Sequence, residues 1–147
     1  MRRSAQLVSL TREHHSALVL ARRTIAAARS VCDVRELAAA LPDLYRRALE
    51  PHFLIEERLL LAPLAETGAI SQVARTVDEH RRLRKLALAE QPIDDAGLAS
   101  FGRLLEAHVR FEERELFPLA EALLPAQTLA AVAAGAAANS TSHFSTV

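Results

Sequence analysis

A single cysteine, Cys32, leaves the chain without any internal disulfide framework. Tryptophan is absent, tyrosine occurs once, and glycine is scarce. β-Branched and aromatic residues are few, which argues against strands as the main element. Charge of one sign is lacking as well. The formal net charge is zero, and acidic and basic residues alternate rather than gathering into blocks. That pattern gives no nucleic-acid footprint and no polybasic membrane patch. The longest basic cluster, Arg81 to Lys85, is interrupted by Leu83 and reads as the wet face of a helix. No apolar run approaches membrane-spanning length, and no N-terminal apolar core marks a signal peptide. A cytoplasmic location is the expectation.

What the chain does have is alanine, leucine, arginine and glutamate, the residues of helices. Its 147 residues are about one domain, and half are hydrophobic, enough for a core without staples. Turn signals divide it at Ser30–Asp33, at Pro63 with Thr67-Gly68, and at Gln91 to Asp95. Asp33 with Glu36 resembles a capping box, and Asp94 or Asp95 a later cap. Pro118 and Pro125 close the last long segment. Four segments between these breaks each carry apolar residues stepping by three or four, with arginines and spare acids opposite. Pro42 and Pro51 should kink the second segment or break it into pieces, although its stripe continues through both. The expected fold is all-α: an up-down-up-down antiparallel four-helix bundle over residues 1–130. A short C-terminal extension follows, residues 131–147, read as a flexible tail with room for one more short helix.

Six polar residues interrupt the apolar stripes. His14, His52, His80 and His108 fall one to a helix, and Glu56 and Glu112 each lie four residues after a histidine. That spacing puts each His and Glu pair on one face, about one turn apart. An ionised glutamate buried alone costs several kcal/mol. Six such groups converging on one interior call for something between them. Metal ions fit, since they take neutral imidazoles and anionic carboxylates as they stand. The stretch from His52 through Glu56 and Glu57 to Leu60 is repeated from His108 through Glu112 and Glu113 to Leu116. Glu13-His14 and Glu79-His80 form a weaker second match. The chain therefore reads as two helix pairs, whose half-sites face each other across two metals bridged by the carboxylates. Nitrogen and oxygen donors without thiolate favour iron or manganese over structural zinc.

These segments resemble the hemerythrin family in its bacterial branch, with a His, His-x-x-x-Glu, His, His-x-x-x-Glu signature over roughly residues 5 to 125. The resemblance implies a non-haem di-iron centre, with an oxo, hydroxo or water bridge and open positions for dioxygen, peroxide or nitric oxide. Sensing, scavenging and iron handling are the implied roles. A di-iron oxidase or peroxide-degrading enzyme is the alternative, as is a helical interaction module with a structural metal. Oxygen-carrying members place a second histidine one turn after the lone His of the third helix; here that position is Arg84, and Thr76 stands one turn before. The fourth helix has Glu112 at spacing four where carriers have aspartate at spacing five, so reversible carriage loses support.

Several neighbours have two readings. His14 continues the stripe of the first helix and is preferred to His15, which shares a face with Thr11 and Arg22. Glu57 and Glu113 are expected in salt bridges with arginines, with support of a ligating histidine as the other role. Tyr45 is expected in the core, with metal coordination as the alternative. Phe53, Phe111 and Leu59 are expected to restrict water at the centre. Cys32 is expected to be inert and His143 solvated. No protein-partner surface stands out, and monomer and homodimer both remain open.

Overall fold

A computed structural model describes residues 3–144, the side chains beyond residue 139 excepted. Its described residues form helices and no strand. Five helical runs follow one another: α1 is Val8–Ala27, α2 residues 31–66, α3 Ile70–Ala87, α4 residues 95–123, and α5 Ala126–Phe144. None of them is long and apolar enough to cross a membrane.

Local chemistry explains most of the boundaries. Asp94 caps α4, its Oδ1 accepting from the Gly97 N–H at 2.7 Å. α2 begins earlier than the Asp33–Glu36 box suggests. Its cap position is Ser30, in extended backbone, and Asp33 sits inside the first turn, where its charge suits the helix N-terminus. α2 ends at Thr67, whose hydroxyl donates to the Leu64 carbonyl, and at Gly68, whose φ of 99° favours a residue without Cβ. Leu124 leaves α4 in extended backbone, as the residue before a proline prefers, and Pro125 leads into α5.

The interior prolines do not end their helices. α2 continues through Pro42, Pro51 and Pro63, and α4 through Pro118. Widened π turns at Tyr45–Leu49, Glu56–Leu61 and Glu112–Leu116 run just ahead of Pro51, Pro63 and Pro118. Their hydrogen bonds reach back five residues, from the Glu50 N–H to the Tyr45 carbonyl and from the Phe117 N–H to the Glu112 carbonyl. The extra residue per turn gives the ring room and finds partners for carbonyls that a proline cannot serve. Two of the three wide turns begin at Glu56 and Glu112.

The apolar interior is in two parts. One gathers Leu20, Leu37, Leu41, Tyr45, Leu83, Leu98, Phe101 and Leu105. The other gathers Leu7, Leu10, Leu60, Leu64, Leu116, Phe117 and Ala120. The buried histidines and glutamates lie where the helices pass from one part to the other: His14 between Leu10 and Ala17 of α1, His52 and Glu56 on either side of Phe53 of α2, and His108 and Glu112 on either side of Val109 and Phe111 of α4. Gly102 lets α4 approach α1, since a Cβ there would stand 2.6 Å from the Ala21 carbonyl oxygen.

The C-terminal segment, expected as an extension with room for one more short helix, forms a helix of 19 residues. α5 runs from Ala126 to Phe144, covers parts of α1 and α2, and buries Leu129, Val132 and Ala136 in the second apolar cluster. Asn139 donates to the Pro51 carbonyl at 3.1 Å. Residues 145–147 and the side chain of His143 lie outside the described residues.

Candidate metal centre

His14 comes from α1, His52 and Glu56 from α2, His80 from α3, and His108 and Glu112 from α4. All six are buried, four of them with no exposed surface. The fold thus brings together every residue expected to bind metal. Each glutamate turns one oxygen to each side. Glu56 Oε1 lies 2.9 Å from His52 Nε2, and Glu112 Oε2 lies 2.9 Å from His14 Nε2. On the other side Glu56 Oε2 lies 3.2 Å from His80 Nε2, and Glu112 Oε1 lies 3.0 Å from His108 Nε2. Two groups of donors result, His14–His52–Glu56–Glu112 and Glu56–His80–His108–Glu112, each with its donor atoms within 4.8 Å of one another. The two groups share both carboxylates.

With the imidazoles neutral and the carboxylates ionised, none of these eight inward atoms, four Nε2 and four carboxylate oxygens, has a hydrogen-bond partner. Leaving a buried polar group unpaired costs about 1–3 kcal/mol, and more when it is charged. Eight orphaned donors aimed at two shared points are the set that a pair of divalent or trivalent cations would satisfy.

The outward ring nitrogens are all engaged. His52 Nδ1 meets Glu13 at 2.5 Å, His14 Nδ1 meets Glu113 at 2.7 Å, His80 Nδ1 meets Glu57 at 2.9 Å, and His108 Nδ1 meets Glu79 at 3.2 Å. The pairing is cyclic: α1 supplies the carboxylate for the histidine of α2, α2 for α3, α3 for α4, and α4 for α1. A carboxylate accepting from Nδ1–H fixes the tautomer that turns the Nε2 lone pair inward. Aromatic rings brace the imidazoles. Phe53 stacks on His80 at 4.0 Å between centroids, and Phe117 on His14 at 5.2 Å.

Without metal the same cluster holds protons. Burial opposes the charged form of His52, but the Glu56 charge and the Glu13 hydrogen bond outweigh it and hold its pKa up to about 9. His80 is likewise opposed by burial and held up to about 11 by Glu112, Glu56 and Glu57. His14 and His108 shift upward for the same reasons. Burial and the Glu112 charge push Glu56 toward its neutral form, yet His52 and His14 hold its pKa below the usual carboxylate range. Burial acts in the same sense on Glu112, and His108, His14 and His80 outweigh it.

His15 is exposed, so His14 is the histidine that α1 turns inward. Tyr45 is fully buried in the first apolar cluster, 6.2 Å from Phe53 between ring centroids. Burial and the adjacent Glu50 push its phenol pKa upward. The salt-bridge reading of Glu57 and Glu113 is incomplete, because each also holds a histidine. Glu57 lies 3.8 Å from Arg84, and Glu113 accepts from Arg3 and from the Thr11 hydroxyl. Arg84 itself is turned to Glu50 at 3.0 Å. The roles of Glu13, Glu79 and Phe117 were missed in the sequence. The doubled Glu-His pair was the available signal for the two glutamates. Phe111 lies under the Arg75 guanidinium, and Leu59 faces Gly135 of α5. Cys32 is exposed and unbridged.

The family model of the hemerythrin HHE cation-binding domain matches residues 6–120, which takes in all six inward-facing ligand candidates. No curated protein and no solved structure matches the chain. With most of its length matched, and with a helical fold whose His and Glu side chains form groups able to hold metal, the chain belongs to the hemerythrin HHE cation-binding family.

Proposed function

We propose that the chain is a non-haem di-iron protein whose centre meets dioxygen, peroxide or nitric oxide. His14 and His52 would hold one ion, His80 and His108 the other, and Glu56 and Glu112 would bridge. The observation that carries this reading is the set of eight buried, unpartnered donor atoms, split evenly into two groups that share both carboxylates. Two six-coordinate ions need about twelve bonds, so the protein leaves positions for a solvent bridge and an outside ligand. Iron held there would supply binding or reduction of a small oxidant at those open positions.

The protein's own residues do the rest. Glu13, Glu57, Glu79 and Glu113 orient the imidazoles and increase their basicity. Phe53, Phe117 and the two apolar clusters keep bulk water away from the buried donors. The position that would complete an oxygen carrier's ligand set is Arg84, whose guanidinium is held by Glu50. Thr76 donates its hydroxyl to the Gln72 carbonyl. Neither supplies a fifth imidazole, which supports sensing or scavenging over reversible carriage. An up-down-up-down order of α1 to α4 belongs to the same reading. It is supported by the order in which successive helices contribute to the two clusters: α1 gives Leu10 to the second before Leu20 to the first, and α2 reverses this.

The test is to load the protein with ferrous iron without oxygen and add dioxygen, nitric oxide and hydrogen peroxide separately. New near-ultraviolet and visible absorption at two irons per chain, lost in Glu112→Gln, is the expected result. A loaded protein whose spectrum none of the three changes would contradict the open positions.

A further inference from the structure

The sequence repeat relates α1–α2 to α3–α4, so the surroundings of the two donor groups should match if nothing distinguishes them. They do not match. Glu13 and Glu79 occupy equivalent places, each just before a lone histidine, yet Glu13 lies 2.5 Å from His52 and Glu79 lies 3.2 Å from His108. The other equivalent pair differs in the same sense, with Glu113 at 2.7 Å from His14 and Glu57 at 2.9 Å from His80. Both short bonds therefore serve the group of His14 and His52, and both long ones the group of His80 and His108.

The cations differ too. Arg75, four residues before Glu79, lies 3.5 Å from that carboxylate; four residues before Glu13 the chain has Ser9. Arg84, four residues after His80, lies 3.8 Å from Glu57; four residues after His14 the chain has Leu18. The cations therefore separate only Glu13 from Glu79: Arg3 lies 2.9 Å from Glu113, closer than Arg84 lies to Glu57, and Arg84 is turned mainly to Glu50. Among the described residues no arginine or lysine forms an ion pair with Glu13. A carboxylate close to Nδ1–H and free of a competing cation draws the proton toward itself and leaves the imidazole more anionic. A more anionic ligand stabilises the more highly charged metal ion.

We propose that Glu13 makes the position between His14 and His52 the electron-rich one, so that it takes the trivalent ion of a ferrous–ferric pair and the His80–His108 position keeps the divalent ion. The inference rests on the di-iron reading above. Arg75 acts on the second position by weakening the pull of Glu79 on His108. Glu13 and Glu79 are then positioning residues with unequal electronic effect. When one electron is withdrawn from the diferrous protein by a chemical oxidant, it leaves the first position; the second electron leaves the second position at higher potential.

The experiment is a redox titration of the iron-loaded protein, following the half-oxidised state by electron paramagnetic resonance and extracting its comproportionation constant. Glu13→Gln should lower that constant, and Glu79→Gln should raise it, each by on the order of tenfold. Arg75→Met, an exposed change away from the inward donors, should also lower it, and serves should Glu13→Gln hold iron poorly. A purely structural role for the glutamates would move both constants in the same direction. Two irons per chain with no opposite response of Glu13→Gln and Glu79→Gln would overturn the inequivalence while leaving the di-iron reading intact. Fewer than two irons in the parent protein would defeat both.

Discussion

Raising the pH should weaken the metal-free protein and strengthen the metal complex. In the metal-free fold His52 has a pKa of about 9 against an ordinary value of 6.5, and His80 one of about 11. Protonated histidines gain the carboxylates around them only when folded. Their contribution is complete below pH 6.5 and is lost as the pH climbs through about 9 and then about 11. Glu56 and Glu112 are shifted downward from 4.5, so their contribution is present above that value and lost below it. The metal-free protein should therefore be most stable between about pH 4.5 and 6.5. For His52 alone the shift corresponds to on the order of 3 kcal/mol. Urea midpoints measured on chelator-treated protein from pH 5.5 to 10 would read it out. Stability that is flat or rises across that range would refute the proton-filled cluster. Metal must displace those protons, so affinity should rise with pH over the same interval. Loading at pH 7 should release protons, among them those of His52 and His80, measurable with an indicator dye.

Replacing His14 by alanine should cost metal, whereas His15→Ala, at an exposed position, should leave metal content at the parent level; elemental analysis of both separates the two histidines. Glu57→Gln and Glu113→Gln should weaken metal binding by about 10–100-fold with the helical content unchanged, as read by competition with a chelator and by circular dichroism. Gly102→Ala should destabilise the fold by about 1–2 kcal/mol in urea although alanine is the better helix former, because its Cβ would meet α1 at Ala21. A neutral or stabilising result there would mean that α1 and α4 can separate freely.

The inward donors were legible in the sequence because they break a rule: a histidine or glutamate on an apolar stripe has no ordinary reason to be there, and His52–Glu56 and His108–Glu112 do so twice. The carboxylates behind the histidines were harder to see. Glu13, Glu57, Glu79 and Glu113 lie toward the edges of their helices, where acids paired with arginines are common, and only the packing of neighbouring helices shows which ring each one meets. The second segment stays helical through Pro42 and Pro51, as its unbroken stripe indicates, whereas Pro63 and Pro118 do not mark helix ends, for a local reason. A proline is read as a helix terminator when the turn before it is α, and the widened turns ahead of Pro51, Pro63 and Pro118 remove the clash. α5 was underestimated because its alanines carry little apolar contrast between faces, while Leu129, Val132 and Ala136 suffice to seat it.

The most direct measurement is the metal content per chain of the parent protein and of Glu112→Gln, after ferrous loading without oxygen. With both donor groups sharing Glu112, the account predicts two irons in the parent and loss of both in the variant. Two irons retained by Glu112→Gln, or a single ion in the parent, would contradict a carboxylate-bridged pair.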